Sequence, residues 1–455
     1  MNLVNPEHFR DEGRKPLKKS MTGMEVELHL IDDKGKISYQ APQIIEELQK
    51  AGNVHITKEI GSNMMEFGCL PDVKTYNPAL NMISSIQEVS EFCAKQNLSF
   101  YPFATYPGKF KSQFTPGGKY EVLKKIFGKE QTENVCRITG FHHHYAFPKG
   151  VFDNEKKDLK LLRKSKLART LISSYNFEIA ADPVLTLLTQ SSPFFQGVNL
   201  AKDSRMLIYR GGKKLHYMQG FYANHQQLGG LPPYKQTLMD LSSSLHKREE
   251  RWKKEFKSVD PKGEFENPYS HYLDITRNPV KLNKHGTFEQ RGMDTNFLSI
   301  LVGVTVLLKF CLREIQRKFY VVVPEDFAID EAFKVESGIL YVPPHTYLRN
   351  KLQSASAYGG YANDVIYNYT KRFFHFAQSV TPKRYNNILK PVKEMIEHKM
   401  SMSDQILKYA RWKGFVDENG NINDEDAAEL ALHYSGQISK DLEDTRKKLE
   451  KLSGV

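Results

Sequence analysis

The chain has 455 residues, of which 40% are hydrophobic and 11% aromatic, so it can bury a sizeable core. It carries 65 Lys and Arg against 53 Asp and Glu, and the net charge of +12 favours anionic partners such as ATP and acidic amino acids. No recognised nucleic-acid-binding module accompanies its basic runs, so we expect no nucleic-acid partner.

The first twenty residues are basic and lack the apolar core of a secretory signal. The four cysteines show no C-x-x-C spacing, so we expect reduced thiols and a cytoplasmic location. Cys69 and Cys136 lie close in sequence to polar motifs, where a thiol is either catalytic or, more often, a small buried hydrophobe. The longest apolar run, residues 297–308, is too short to span a bilayer and predicts a buried helix, so we expect no membrane partner.

The first predicted strand, residues 23–30, alternates polar and apolar side chains. Successive side chains of a strand point to opposite faces, so Glu25, Glu27 and His29 share one face and the other face is apolar. A second acidic run follows, in which Glu66 stands among large apolar residues.

Two later runs carry further polar faces. His142 and His144 share a face of one predicted strand, and the last run pairs Glu289 with Arg291, whose guanidinium can bind phosphate oxygens through two hydrogen bonds. Carboxylates with imidazole suit Mg²⁺ or Mn²⁺, so the four runs together indicate metal-nucleotide chemistry. Two alternatives stay open: E-x-E also occurs on solvated sheet faces, and His-x-His also occurs in zinc sites, although a full zinc ligand set is missing.

The remaining pattern predicts an α+β fold, because helical segments alternate with strand-like pieces. The predicted helices are residues 77–95, 160–174, 238–257 and 296–318. The run 156–166 predicts a helix with a basic outer face, and residues 205–210 predict a strand with a hairpin turn at 211–214. Beyond residue 381, amphipathic helices predict a tail that packs on the core or on another subunit of a homo-oligomer.

In their order along residues 20–365 these motifs resemble the glutamate-cysteine ligase family of the bacterial and plant type and its carboxylate-amine ligase relatives. The similar segments are Gly23 to Glu27 (G-x-E-x-E), Gly140 to His144 (G-x-H-V-H), Ala181 to Gly197 (A-S-S-P-F-W-x-G) with Ser204-Arg205 or Tyr209-Arg210 (S-x-R), Gly286 to Arg291 (G-T-x-E-x-R) followed by Asp294, and Arg349 to Gly360 (N-x-x-x-A-x-x-x-G). The chain departs from the family pattern at His143, Phe195 and Gln290.

The resemblance implies a glutamine-synthetase-like fold, in which an antiparallel sheet forms a half funnel and helices cover its outer face. It implies an ATP-dependent ligase: a substrate carboxylate attacks the γ-phosphoryl group of ATP, and an amine attacks the resulting acyl phosphate. Glutamate and cysteine are the family's default substrates, joined in glutathione biosynthesis as a γ-glutamyl amide. The implied partners are small molecules, and the implied cofactors are ATP and Mg²⁺ or Mn²⁺.

The resemblance also implies roles for individual residues. The implied metal ligands are Glu25, Glu27, Glu66, His142 and Glu289. The implied catalytic residues are Glu289, Arg291 and Arg205. The implied cofactor-binding residues are Arg210, Arg291 and His144.

We expect a basic N-terminal segment at residues 1–20, a catalytic ligase domain at 21–380 and a C-terminal helical segment packed on the core at 381–455. Two other functions stay open. One is a metal-ATP phosphotransferase of the guanidino-kinase type, which would stop at phosphoryl transfer to a nitrogen. The other is a non-catalytic binding relative, although every predicted metal-binding carboxylate is present.

Overall fold

The computed structural model describes residues 21–52, 55–115, 119–162, 165–269 and 271–454. The predicted N-terminal segment, residues 1–20, lies outside them. The strands of the described residues are β1 (Thr22–Asp32), β2 (Ile56–Lys58), β3 (Met64–Gly68), β4 (Leu98–Tyr101), β5 (Gly140–Ala146), β6 (Phe152–Asp153), β7 (Asp158–Leu159), β8 (Phe194–Phe195), β9 (Val198–Asn199), β10 (Val280–Asn283), β11 (Thr287–Asp294), β12 (Val321–Pro324), β13 (Val335–Glu336) and β14 (Ile339–Val342).

The described helices are α1 (Ala41–Lys50), α2 (Tyr76–Ala94), α3 (Lys119–Phe127), α4 (Lys129–Val135), α5 (Lys166–Thr189), α6 (Ser204–Tyr209), α7 (Gln226–Gly229), α8 (Leu238–Val259), α9 (Tyr272–Ile275), α10 (Leu298–Lys318), α11 (His345–Tyr347), α12 (Asp364–Val380), α13 (Asn386–Glu397), α14 (Met402–Lys413), α15 (Asp424–Ser435) and α16 (Ile438–Ser453). Short 3-10 or π-helical turns lie at Lys213–Leu215, Asp326–Ile329, Leu348–Leu352, Ala355–Gly359, Gly360–Ala362 and Lys383–Tyr385.

A seven-stranded sheet organises the molecule. Six of its strands lie in the order β10-β11-β5-β1-β3-β2, and β4 pairs with the far end of β1. Every pairing in this sheet is antiparallel. Strands remote in sequence therefore lie side by side: β11 pairs with β5, which precedes it by more than 130 residues.

Helices cover one face of this sheet. Helices α5 and α10 pack against its β5 and β11 side, and α2 packs against β1, β3 and β4. The apolar side chains of β1, such as Met24, Val26 and Leu28, are buried against this layer. The opposite face is left for the polar side chains, so the alternation in the sequence separates the core from the site.

The last four helices, α13 to α16, pack onto this layer. They contact α10, α2 and β4, and Asp441 in α16 accepts a hydrogen bond from the backbone N–H of Ser299 at the start of α10 (3.2 Å). The boundary expected at residue 381 falls in the turn between α12 and α13. None of the described helices combines the length and apolarity needed to cross a bilayer.

Two local predictions are wrong. Residues 205–209 lie in helix α6 instead of a strand, and Arg210 is the C-cap of that helix. Asp203 caps its other end by accepting the N–H of Met206 (2.7 Å), so the expected hairpin turn joins no strands. The described residues of the basic run 156–166, which leave out 163 and 164, do not form the expected helix: they contain β7, and α5 begins only at Lys166 after its cap, Ser165. The predicted helices at 77–95, 238–257 and 296–318 are confirmed.

Candidate active site

The strand register brings the predicted polar side chains together on one face of the sheet. Glu25 lies opposite His142, and Glu27 lies opposite Glu66. His144 lies opposite Glu289, which in turn lies opposite Lys281. Directly opposed residues of an antiparallel pair share a face, so β1, β3, β5, β10 and β11 build one polar floor.

A β-bulge in β11 places Arg291 at this floor. The register shifts between Gln290 and Met293, so Arg291 and Gly292 together oppose one residue of β5. Because the bulge adds one residue, Met293 returns to the core, where it is fully buried. Glu289 and Arg291 both stay at the site, with Arg291 Nη1 2.8 Å from Glu289 Oε1.

Three groups of side chains on the floor could each hold a metal ion, with ligand atoms within 4.8 Å of one another. The groups are Glu25, Glu66 and His142; Glu25, His144 and Glu289; and Glu27, Glu59 and Glu66. Glu25 and Glu66 each belong to two groups, so neighbouring cations would share carboxylates. Oxygen ligands with at most one imidazole suit Mg²⁺ or Mn²⁺.

The imidazole contacts fit metal ligation. His144 Nδ1 lies 3.1 Å from the hydroxyl of Thr287, which leaves its Nε2 directed to the floor, 3.2 Å from Glu25 Oε1. His142 lies between two carboxylates, with Nδ1 3.0 Å from Glu25 Oε2 and Nε2 3.5 Å from Glu27 Oε1. Neither Nε2 makes a well-directed hydrogen bond in the described structure although both are buried beside carboxylate oxygens, which is the environment of a ligand atom.

The acidic residues crowd one another. Burial, with repulsion from Glu59, raises the pKa of Glu27 to about 8. Burial and the neighbouring carboxylates raise the pKa of Glu66 well above its usual value. Burial, followed by repulsion from Arg291, lowers the pKa of His142 to about 4, so this imidazole is neutral and able to bind a cation. Bound divalent cations would offset the repulsion among the carboxylates.

Cations line the same side of the cavity. Glu289 Oε2 lies 3.4 Å from Lys281 Nζ and accepts a hydrogen bond from Asn283 (2.5 Å). Arg205, from α6, donates to the backbone carbonyl of Arg291 (3.3 Å) and passes so close to Gly140 that a Cβ there would lie 2.2 Å from its Nη2. Glycine at position 140 thus leaves room for the Arg205 guanidinium beside β5, and a larger side chain would displace it.

Above the floor lies a cavity of about 310 Å³. Its lining includes Glu25, Glu27, Glu59, Glu66, His142, Glu289, Arg205, Arg291 and Lys281. One wall is aromatic and apolar, with Tyr120, Leu123, Tyr209, Phe221, Tyr222 and Tyr269, and includes Arg277. The cavity thus combines a floor of potential metal ligands, positively charged side chains suited to phosphate and an apolar wall suited to an organic substrate.

Arg210 does not line this cavity, contrary to its expected cofactor-binding role. It is 2% exposed, and its guanidinium donates to both carboxylate oxygens of Asp182 (2.6 and 2.9 Å) and to Gln353 (2.8 Å). The guanidinium of Arg210 already donates hydrogen bonds to these buried partners, so the expected cofactor-binding role of Arg210 is corrected to a structural one. His29 shares the face of Glu25 but is fully buried, with Nδ1 3.0 Å from the side-chain nitrogen of Asn63.

Neither Cys69 nor Cys136 lines the cavity. Burial raises the pKa of each thiol to about 12, so both are protonated at neutral pH. The alternative of a catalytic thiol at these positions is thereby disfavoured.

The sequence patterns missed several cavity residues. Lys281 stands between Val280 and Leu282, shortly before the G-T-x-E-x-R segment. This alternation of apolar and polar residues is a sequence signal for a strand with Lys281 on its polar face. Glu59 and Arg277 stand in irregular segments, where no periodicity indicates the direction of a side chain. The aromatic wall comes from four separate parts of the chain, and only the fold brings them together.

Comparison with known proteins agrees with this geometry. A family model described as glutamate-cysteine ligase family 2 (GCS2) matches residues 21–259, just over half of the chain. No curated protein sequence matches the chain significantly.

The solved structures that are similar to the chain include two ligases of known identity. One is a bifunctional glutathione synthetase from Pasteurella multocida, with 13% identity and a TM-score of 0.54 over 92% of this chain; the chain spans 53% of that protein's length. The other is a glutamate-cysteine ligase from Francisella tularensis in complex with AMP, with 11% identity and a TM-score of 0.51, covering 96% of this chain and 93% of the other. At such identities the likeness concerns the fold alone, and it confirms the predicted α+β, glutamine-synthetase-like antiparallel sheet with helices on its outer face.

Proposed function

The chain belongs to glutamate-cysteine ligase family 2, and from this premise we propose that it is an ATP-dependent carboxylate-amine ligase. In the proposed reaction a substrate carboxylate attacks the γ-phosphoryl group of ATP to give an acyl phosphate and ADP. An amine then attacks the acyl carbon, forming the amide and releasing phosphate. The fold neighbours named as glutathione synthetase and glutamate-cysteine ligase support this class of reaction.

One observation carries the proposal: three adjoining groups of potential metal ligands lie beneath a cavity that is lined by positively charged side chains and by an aromatic wall. Phosphoryl transfer needs positioning and the neutralisation of charge on phosphate oxygens more than covalent help from the protein. Metal ions bound to Glu25, Glu27, Glu66, His142 and Glu289 would supply that neutralisation.

The side chains around the floor have separate proposed roles. Glu289 holds Arg291 in place through a 2.8 Å ion pair, and Arg291 is proposed to stabilise the transferring phosphoryl group. Arg205 is proposed to bind phosphate or the carboxylate of the acid substrate. His144, oriented by Thr287, is proposed to assist in binding the metal-nucleotide complex.

For substrates we propose glutamate as the acid and cysteine as the amine, joined as a γ-glutamyl amide. Family membership supports this pair, and the cavity volume of about 310 Å³ suits small substrates. ATP with Mg²⁺ is the proposed cosubstrate.

The test is ADP release from Mg²⁺-ATP by the purified protein, first with single amino acids and then with acid-amine pairs, with product masses recorded. We expect ADP release that requires both glutamate and cysteine and stops with EDTA. The product should be lighter than the two substrates together by one water. ADP release with a single guanidino compound and no amide product would instead assign a phosphotransferase. No release with any pair would overturn the ligase proposal.

A further inference from the structure

Arg277 is a cavity residue for which the proposed reaction leaves no role. It lies between α9 and β10, and its side chain is part of the cavity lining. Its backbone N–H donates to the carbonyl of Leu228 (2.7 Å), and the side chain of the next residue, Asn278, donates to the carbonyl of Gly230 (2.6 Å). These bonds fix the segment to its neighbour, so Arg277 is presented from a well-anchored backbone.

The guanidinium of Arg277 stands against aromatic rings. Its central carbon lies 5.3 Å from the ring centroid of Tyr269, which is a cation–π distance. Burial would lower its pKa, but the phenol groups of Tyr269, Tyr209 and Tyr222 raise it above the usual value. Arg277 therefore carries a full positive charge in the cavity.

This charge lacks a carboxylate partner. In the described residues, Lys281 and Arg291 both pair with Glu289, and Lys284 pairs with Asp274 (2.8 Å). No described carboxylate lies within 4.0 Å of the Arg277 guanidinium. Arg277 is half-buried and lines the cavity, so its unpaired charge is available to an anionic ligand there.

The surroundings indicate which anion. Arg291 and Lys281 stand next to the metal-binding carboxylates, where phosphate groups would lie, whereas Arg277 stands on the wall that includes Tyr209, Tyr222 and Tyr269. A planar guanidinium beside rings matches a carboxylate on a small organic molecule, which it can bind through two hydrogen bonds.

We propose that Arg277 binds a non-reacting carboxylate of a ligase substrate, with the aromatic wall against the uncharged part of that substrate. The inference rests on the proposed function and adds a requirement to it: one substrate must carry a carboxylate besides the group that reacts. Glutamate and cysteine each have such a carboxylate, so the experiment separates the two sources.

The experiment compares wild type with Arg277→Met, which keeps the length of the aliphatic stem and removes the charge. Steady-state ADP release is measured with each substrate and with its primary amide in place of the non-reacting carboxylate: the 1-amide of glutamate, and cysteinamide. We expect Arg277→Met to raise the KM of one acid-bearing substrate by about 10- to 100-fold, the effect of losing charge-assisted hydrogen bonds. The KM for ATP should not change.

The amide supplies the decisive comparison. Wild type should bind the amide of that same substrate about 10- to 100-fold more weakly than the acid, and Arg277→Met should bind acid and amide equally. Glutamate and cysteine are the two arms, and the arm that responds names the source of the carboxylate. Equal losses for acid and amide, an effect confined to the KM for ATP, or no effect would each overturn the inference.

Two controls keep the result independent of folding and of the proposed function. Arg251→Met makes the same change at an exposed position of α8 and should behave as wild type, and urea unfolding of Arg277→Met checks its fold. If wild type forms no amide, the proposed function fails by itself. The affinities of wild type and Arg277→Met for glutamate, cysteine and their amides, measured by calorimetry, then test Arg277. Equal affinity of wild type for acid and amide, or no binding of either, overturns the proposed role.

Discussion

Glu289 is the most heavily connected side chain of the floor. It pairs with Arg291 and Lys281, accepts a hydrogen bond from Asn283, and belongs to a metal-binding group with Glu25. Burial alone would raise the pKa of Glu289, but Lys281 and Arg291 hold it well below its usual value, so it is a carboxylate. It therefore neutralises two buried cations, and it is one of the proposed metal ligands.

Glu289→Gln removes this charge at nearly constant volume. We expect ADP release to fall by at least about 100-fold, because a metal ligand is weakened and Arg291 is less firmly held. The free energy of unfolding should fall by about 2–4 kcal/mol, because two buried cations lose their anion. Activity and urea unfolding are compared with Glu88→Gln, an exposed change in α2 that should alter neither. Full activity in Glu289→Gln would contradict the site.

At the residue level, alternation along strands was enough to find Glu25, Glu27, His142 and Glu289, because a strand fixes the face of every second side chain. Arg210 was wrongly expected at the site. The sequence cannot show that Asp182, 28 residues earlier on another helix, occupies its guanidinium. Arg277 was missed because it lies in an irregular segment, where the sequence does not indicate the direction of a side chain.

The bulge in β11 is the element that places Arg291 at the floor, beside Glu289. Gly292 forms it together with Arg291, and a Cβ at Gly292 would lie 2.3 Å from Arg210 Nη2 and 2.5 Å from Asp182 Oδ1. The bulge is thus packed against a buried ion pair that joins α5 to the end of α6. A side chain at this position must displace either the ion pair or the bulge.

We expect Gly292→Ala to lower the free energy of unfolding by about 2–4 kcal/mol, because it overpacks the core and disturbs a buried ion pair. Activity should fall as well, since Arg291 moves with the bulge. Urea denaturation measures the first effect and ADP release the second. Gly436→Ala, whose Cβ would meet only ordinary contacts beyond 3.4 Å, serves as the control and should change stability by less than about 0.5 kcal/mol. Equal stability of the two variants would contradict the packing argument.

Most of the large elements could be predicted, whereas the bulge and α6 could not. Helices α2, α8 and α10 are long and periodic, so their pattern is unambiguous. Helix α6 has only six residues, too few for a period to distinguish helix from strand, and its cap at Asp203 decides. A bulge depends on the register between β5 and β11, which lie far apart in sequence, and one strand alone carries no signal of it.

The whole molecule is arranged around α10, which packs against α5, α12, α13 and α16 as well as against the sheet. The resemblance of ordered motifs predicted the fold class correctly, because three of those motifs, G-x-E-x-E, G-x-H-V-H and G-T-x-E-x-R, form strands β1, β5 and β11 of the polar floor. It did not extend to the order of the strands or to the helical layer behind them, since these follow from packing between distant segments. Because α10 is packed on several sides, one of its lysines, Lys309, is buried inside the helical layer.

Lys309 in α10 is 3% exposed and donates to the backbone carbonyl of Val73. Burial lowers its pKa to about 7, opposed by attraction to Asp72 and assisted by repulsion from Arg313 and Arg384. His143, which lies close enough to interact with Lys309, has a pKa lowered to about 3 by burial and remains neutral above that pH. Lys309 is thus a cation whose protonation changes near neutral pH in the folded chain.

The sign of its effect on stability follows from the two pKa values. An unfolded lysine has a pKa near its ordinary value, about 10.4, so between about pH 7 and pH 10 the unfolded chain holds a proton that the folded chain has released. The unfolded state then binds more protons, and stability rises with pH through this window, by up to about 1.4 kcal/mol per pH unit from this group. Below about pH 7 both states are protonated, and the contribution no longer varies.

Lys309→Met keeps a long apolar side chain and removes the titration. We expect the unfolding free energy of the variant, measured relative to that of wild type, to be highest at pH 7. This difference should then fall by up to about 1.4 kcal/mol for each pH unit between 7 and 9, because only wild type gains stability as the pH rises. Urea denaturation at pH 7, 8 and 9 measures this difference. Lys408→Met, an exposed change in α14, should run parallel to wild type. If Lys309→Met also ran parallel, Lys309 would keep its proton in the core, and the carbonyl of Val73 with Asp72 would be sufficient to hold a buried cation.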